Sequence, residues 1–172
     1  VAPKLADVLS VLGMTSGTEG ARDTLRYRLT GGSGQPIGAW GHEYVRHIAG
    51  EISAEFKERA EKETEEKAPE VADLLELVRE IIPYHMSHNA EPEAVDLLVE
   101  VEQLELLLEH TDEKNYTRTC LYLVSCCNYL PEPDNVTVLR TALSIYRKQG
   151  KFVDAMRVAL KMNSKDDVEA TF

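Results

Sequence analysis

The sequence predicts an all-α protein, an irregular α-solenoid of antiparallel helical hairpins. Apolar residues recur at intervals of three and four along almost all of the 172 residues, which is the period of an amphipathic helix. Strand signals are nearly absent, since no alternating β-branched run is bounded by a tight hairpin dipeptide. Short connections favour antiparallel neighbours. At 146–155 an aromatic residue, Gly150 and Ala155 are spaced as in helical-hairpin repeats, which favours stacking although no clean repeat period is present.

Two helices and a loop are predicted in the first 38 residues. The first helix begins at about Pro3, a residue favoured in a first turn, and ends near Gly13. Ser16 and Glu19 form a capping box before the second helix. The glycine-rich segment at 31–38 is predicted to be a flexible loop. The apolar residues of these two helices are Leu5, Val8, Leu9, Leu12, Ala21, Leu25 and Leu29.

A long helix and a shorter one are predicted next. The long helix runs from Ile37 to about Lys67 and is amphipathic in its first half. Its tail at 57–68 is almost all charge, and Lys–Glu pairs three and four apart stabilise such a solvated helix by a few tenths of a kcal/mol per pair. Pro69 opens the following helix. Pro83 kinks or ends it, because proline lacks a backbone donor.

The second half of the chain is predicted to hold five helices, separated by Asp112, by two prolines at 131–133 and by Gly150. They lie at about 92–109, 112–130, 134–149, 152–162 and from 165 onward. We expect residues 1–172 to form a single helical domain. The chain starts at a valine and stops within a helical pattern, so we interpret it as an excerpt from a larger protein.

Charge and cysteine usage limit the classes of partner. Nineteen basic and thirty acidic residues give a net charge of −11, which repels phosphate backbones and anionic lipid headgroups. We therefore expect no nucleic acid and no membrane as partner. No apolar run approaches the roughly 18 residues of a membrane span, and the N-terminus lacks the pattern of a secretory leader, so a soluble chain is expected. Cys120, Cys126 and Cys127 have no metal-ligand spacing or disulfide framework, which favours a reducing compartment.

The residues that most resemble chemical motifs do not assemble a site. His42 and His47 resemble the helix of zinc proteases, but five residues place the two imidazoles about 140° apart around a helix, too far to chelate one ion. His85 and His88 are three apart, but no third ligand is near them in sequence. The glycine-rich segment lacks the Lys-Ser/Thr of a phosphate loop. We therefore predict no catalytic residue, no cofactor, no metal and no enzymatic activity.

Some residues are nevertheless candidates for contact with a partner protein. Trp40, the only tryptophan, is interpreted first as a core anchor and second as a contact. The acidic residues from Glu100 to Glu109 alternate with Leu and Val, so they form either a solvated face or a docking face for a basic partner. The candidate contact residues are Trp40, His85, His88, Glu100 and Glu102.

Four longer strings carry a family resemblance. They are LRYRL at 25–29, WGHEYVRHIAGE at 40–51, IPYHMSHNAE at 82–91 and NYLPEP at 128–133. Together they resemble the N-terminal region of the proteasome non-ATPase regulatory subunit 2 family, in order and over nearly the whole chain. The glycine-rich segment is most similar to plant members.

The resemblance implies a non-catalytic helical scaffold beside the ATPase ring of the 26S proteasome base, in cytoplasm and nucleus. It implies base ATPase subunits and other regulatory-particle subunits as partners. Ubiquitin and shuttle receptors bind a later toroid in that family, so no ubiquitin-binding residue transfers to this chain. One alternative is a direct binding module for ubiquitin-like or peptide partners, through the acidic helix at 92–109 or a groove between hairpins. A zinc enzyme built on His42 and His47 would require bound metal.

Overall fold

The computed structural model describes residues 2–18, 20–31, 34–62 and 70–171. These residues form ten α-helices and one short 3₁₀-helix and contain no strand, so the predicted all-α, solenoid-like class is confirmed. The 3₁₀-helix is Ile37–Trp40. The α-helices are α1 (Ala2–Ser16), α2 (Asp23–Gly31), α3 (His42–Glu61), α4 (Ala72–Ser87), α5 (Glu91–Glu100), α6 (Leu106–His110), α7 (Tyr116–Cys126), α8 (Asp134–Lys148), α9 (Phe152–Lys161) and α10 (Lys165–Glu169).

The chain divides into two compact units, which we call unit 1 (Val1–Tyr84) and unit 2 (His85–Phe172). In unit 1, α1 packs along α2, and α3 contacts α1, α2 and the 3₁₀-helix. In unit 2, α7 packs on α5 and on α8, and α8 in turn contacts α6 and α9, which carries α10. Each helix of unit 2 therefore contacts mainly its neighbours, as in a solenoid.

The predicted end of the first helix at Gly13 is wrong. The helix α1 continues through Gly13 to Ser16. A Cβ at Gly13 would lie 3.0 Å from the backbone nitrogen of Thr24, so this glycine permits close approach of α2. The predicted capping box before α2 is also wrong, because Ser16 is the last residue of α1 and its hydroxyl donates to the Leu12 carbonyl at 2.8 Å. Glu19 lies outside the described residues.

The long helix predicted from Ile37 is interrupted. Gly41 has φ +88°, a left-handed conformation that favours glycine, and it separates the 3₁₀-helix from α3. The helix α3 ends at Glu61, and half of the charged tail at 57–68 and part of the 31–38 loop lie outside the described residues. Pro83 does not end α4, which continues to Ser87. Pro83 has no amide to donate to the carbonyl oxygen four residues earlier. Because Pro83 is exposed, water can hydrate that carbonyl oxygen instead.

The helix predicted at 92–109 is also wrong, because the chain turns after Glu100. The amide of Gln103 donates to the Leu98 carbonyl at 2.9 Å and that of Glu102 to the Val99 carbonyl at 3.2 Å. Glu102 has φ +57°. These two bonds and the left-handed residue define a Schellman motif, which ends α5 before the short α6.

The other boundaries in unit 2 stay close to the prediction. Predicted helices at 134–149 and 152–162 match α8 and α9 to within one residue, and α10 begins at the predicted position. Gly150 (φ +67°) and Asn163 (φ +52°) end α8 and α9 with the same pair of backbone bonds. The helix predicted at 112–130 is shorter, because the Asp112 carboxylate bonds the amides of Lys114 and Asn115 in a turn ahead of α7.

A buried polar cluster lies at the centre of unit 1. Arg28 is only 2% exposed, and its guanidinium lies 3.4 Å from Asp7 Oδ1 and 3.3 Å from Glu80 Oε2. Glu80 also accepts a hydrogen bond from the Ile37 amide at 2.6 Å. The Ser10 hydroxyl donates to the Thr24 carbonyl at 2.6 Å. Polar groups therefore tie α1, α2, α4 and the 3₁₀-helix together within an otherwise apolar core.

Candidate interaction surfaces

An open groove of about 800 Å³ lies in unit 2, between the α5–α6 turn and α8. We call its apolar lining residues the floor, and they include Val99 from α5, Leu104 from the turn, Leu108 from α6 and Val136 from α8. Val136 is 40% exposed. We call this feature the α5–α8 groove. The Schellman turn at the end of α5 forms one wall of the groove, because it redirects the chain before α6.

Acidic side chains also line the α5–α8 groove, and we call them its edge. Glu102, Glu105 and Asp134 form this edge, and none of these three carboxylates forms an ion pair with any described residue. Arg140 is the only basic residue among the described groove residues. Lys148, nearby on α8, donates to the carbonyl oxygens of Leu108 and Thr111, the latter at 3.3 Å. The groove therefore carries three carboxylates against one guanidinium.

Other acidic residues on α5 have structural partners. Glu91 is buried and forms an ion pair with Arg118. The Tyr122 hydroxyl donates to the Asp96 carboxylate at 2.7 Å. Burial raises the pKa of Asp96 and that of Tyr122, although the hydrogen bond from Tyr122 partly offsets the shift on Asp96. Glu91 and Asp96 therefore hold α5 on α7, whereas the acidic residues of the predicted face, from Glu100 to Glu109, are exposed.

The five predicted contact residues differ in unit and in exposure. Trp40 lies in unit 1 and is 37% exposed, whereas the other four residues lie in unit 2. His85 is fully buried, and His88, Glu100 and Glu102 are exposed. Only Glu102 lines the α5–α8 groove. The contact role of these residues stays a prediction.

The histidines and cysteines occupy ordinary structural positions. His42 stacks on Tyr84 with 6.3 Å between ring centroids, and His47 Nε2 lies 3.0 Å from Glu51 Oε1. Within the described ranges, no three His, Cys, Asp or Glu side chains are grouped closely enough to hold a metal ion. Burial raises the pKa of the Cys120 thiol to about 12. It also raises that of Cys126, so neither thiol has the low pKa of a reactive cysteine.

Two apolar faces were missed as candidate surfaces. On α1, Leu5, Val8 and Leu12 are exposed although they form its apolar stripe. The opposite side of α1 is buried through Asp7 and Ser10 of the polar cluster. On α9, the exposed apolar residues are Phe152, Val153 and Leu160. Amphipathic periodicity finds a stripe but does not say whether it faces the core, because buried polar groups can take that side.

Comparison with protein families decides the relationship. The family model described as the RPN1 N-terminal domain matches residues 2–172. This chain belongs to the RPN1 N-terminal domain family. The family resemblance read from the four sequence strings is confirmed.

The relatives of this chain are named as proteasome subunits. The chain is 48% identical over 168 residues to the 26S proteasome non-ATPase regulatory subunit 2 of Dictyostelium discoideum. It is 49% identical over 168 residues to homolog B of that subunit in Arabidopsis thaliana. It is 44% identical over 171 residues to the 26S proteasome regulatory subunit rpn1 of Schizosaccharomyces pombe. These matches cover 97–98% of this chain but only 18% of each relative, so the chain spans about a fifth of their length.

The strings that carry the family resemblance have structural positions in this RPN1 N-terminal domain. The string at 40–51 contains Gly41, whose positive φ permits the break before α3, and Tyr44, whose hydroxyl lies 2.7 Å from the Ser10 hydroxyl. Glu51 in the same string accepts a hydrogen bond from the Leu25 amide at 2.7 Å, in the first turn of α2.

None of the described helices combines the length and apolarity that a bilayer crossing needs.

Proposed function

We propose that this chain is a non-catalytic scaffold segment of the 26S proteasome regulatory particle base. In this role it supports ubiquitin-dependent protein degradation through protein–protein contacts. The observation that carries the proposal is the match of residues 2–172 to the RPN1 N-terminal domain. The relatives are named as regulatory and non-ATPase subunits of the proteasome. Within such a subunit, residues 1–172 are the N-terminal helical domain.

The chemistry of the described residues supports a scaffold more than an enzyme. The buried polar groups of unit 1 join helices, and Glu91 and Asp96 do the same in unit 2. The raised pKa of Cys120, caused by burial, disfavours a thiolate nucleophile. Stacked helices also offer extended surfaces to neighbouring proteins.

The partners of the proposed scaffold are the base ATPase subunits and other regulatory-particle subunits, in cytoplasm and nucleus. The relatives extend well beyond the matched segment, and we propose that ubiquitin and shuttle receptors are bound by that further part. This chain then contributes position and support.

Affinity isolation tests the proposal. The tagged chain is expressed in cells, isolated under native conditions and analysed by quantitative mass spectrometry. We expect base ATPases to be enriched over a tag-only control. Trp40→Ala and the double charge reversal Glu100→Lys with Glu102→Lys then show which unit makes the contact. A folded chain that enriches no regulatory-particle subunit contradicts the proposal.

A second candidate function is a direct binding module for ubiquitin-like or peptide partners. The α5–α8 groove favours it, because the groove combines an apolar floor with an acidic edge. Titration of the isotope-labelled chain with ubiquitin, followed by NMR, separates the two functions. Saturable shifts confined to α5, α6 and α8 support the binding module, and unchanged spectra refute it for ubiquitin.

A further inference from the structure

We infer that the α5–α8 groove binds a basic, amphipathic helix of a partner protein. The inference rests on the proposed function for the existence of a protein partner. It goes further by naming the surface of unit 2 that makes the contact and the chemistry of the segment that fits it.

The floor of the groove determines the apolar side of the partner. Val99, Leu104, Leu108 and Val136 come from three helices and the turn between α5 and α6, and they line one open concavity. Val136 stands out, because it is exposed in the first turn of α8, where a polar residue would be better solvated. Apolar side chains that enter the groove would remove this surface from water, which is the main favourable contribution to association.

The edge of the groove determines the charge of the partner. Glu102, Glu105 and Asp134 have no ion-pair partner among the described residues, and one guanidinium, that of Arg140, opposes them. Lysine or arginine residues beside the apolar stripe of a partner would meet these carboxylates. Electrostatic complementarity of this kind selects partners and speeds association. Phosphate backbones and acidic lipid surfaces would be repelled.

The architecture of unit 2 favours a helix over an extended peptide. An extended peptide gains affinity by adding a strand to the edge of a sheet, and the described part of the chain contains no strand. The backbone of an extended peptide would lose water in the groove without gaining regular hydrogen bonds. A helix satisfies its own backbone groups and presents apolar residues three and four apart, which suits a groove with helical walls.

A designed peptide tests the inference. The probe is a fluorescein-labelled helix of about 18 residues, with leucine at helical spacing and lysine on both flanks. A matched peptide carries glutamate in place of lysine. Fluorescence anisotropy measures binding to the 172-residue chain. We expect saturable binding of the lysine peptide that weakens as salt is raised, and no binding of the glutamate peptide.

Two sets of variants locate the site. The pair Glu102→Lys and Glu105→Lys reverses the edge, and Val136→Gln places a neutral polar side chain on the floor at an exposed position of α8. Each should weaken binding about tenfold or more, because attraction becomes repulsion or apolar contact is lost. The control pair Glu76→Lys and Glu113→Lys changes the net charge equally at exposed positions outside the groove, and it should leave affinity nearly unchanged.

Several outcomes would overturn the inference. They are absence of saturable binding, equal weakening by the groove and control pairs, and wild-type affinity in both groove variants. Circular dichroism verifies that each variant is folded, and Val136→Gln keeps the test decisive if the Glu102 substitution disturbs the left-handed turn. Binding of ubiquitin with no binding of the lysine peptide would assign the groove to another class of ligand. If the lysine peptide does not bind, base subunits can still be isolated with the tagged chain. This inference and the proposed function are therefore tested separately.

Discussion

Replacement of Arg28 by methionine removes the positive charge at the centre of the buried cluster in unit 1. The guanidinium is almost fully buried and lies 3.4 Å from Asp7 Oδ1 and 3.3 Å from Glu80 Oε2. Methionine retains much of the side-chain volume. The variant therefore tests charge and hydrogen bonding more than packing.

The cost of this substitution comes mainly from Asp7. Its carboxylate is buried, and its Oδ2 has no hydrogen-bond partner among the described residues, so loss of Arg28 leaves a buried charge uncompensated. Breaking a buried pair in this way costs about 3–5 kcal/mol. Glu80 is half-buried and keeps its bond from the Ile37 amide. We therefore expect a loss near the lower limit, about 3 kcal/mol.

Urea unfolding followed by the fluorescence of Trp40 measures this loss, because the only tryptophan lies in unit 1. Arg26→Met is the matched control, since Arg26 is exposed and paired with Asp23 three residues away, an arrangement worth less than about 1 kcal/mol. Adding Asp7→Asn to Arg28→Met should recover at least about 1 kcal/mol, because the two sites are coupled. Equal losses for Arg28→Met and Arg26→Met would refute the reasoning.

Three further predictions concern other contacts. Burial opposes ionisation of Glu55, but hydrogen bonds and charges from Arg59 and Arg22 outweigh it and lower its pKa below 4.5. The ionised Glu55 carboxylate therefore stabilises the fold above pH 4.5, and this contribution is lost as the pH falls further. We expect Glu55→Gln to flatten the acid side of the curve of unfolding free energy against pH. With a pKa raised to about 12 by burial, Cys120 should resist alkylation at neutral pH until the chain unfolds, as peptide mass spectrometry after labelling would show. Arg147 donates from α8 to the Asp167 carbonyl at 2.7 Å, so Arg147→Met should speed hydrogen exchange in α10 while α8 stays protected; unchanged exchange in α10 would contradict this role.

Helical periodicity predicted the fold class and most of the helices, whereas the breaks depended on context. The sequence predicts a helix end near Gly13 and a continuous helix through Gly41, and the structure shows the reverse. One allows α2 to approach α1, and the other adopts a positive φ. Glu102 is harder still, because a left-handed glutamate costs about 1 kcal/mol and no propensity scale favours it. The turn forms there because Val101 and Leu104 on either side are both buried.

The candidate site was only partly predictable for a related reason. Glu102 was selected from a local run of acidic residues, but Val136 on the other wall lies 34 positions later and carries no local signal. The spacing of His85 and His88 likewise does not indicate that His85 is buried. The apolar stripe of α1 was read correctly as a stripe, but Asp7 and Ser10 occupy the buried side of that helix.

Cross-linking mass spectrometry of intact 26S proteasomes, isolated through a tag on the subunit that carries this segment, tests the central claim most directly. Exposed lysines such as Lys4 in unit 1 and Lys114 and Lys161 in unit 2 provide reactive amines. A scaffold segment of the base predicts cross-links from these lysines to base ATPases or neighbouring regulatory-particle subunits. Absence of the tagged subunit from purified proteasomes, or cross-links confined to the subunit itself, would contradict the account.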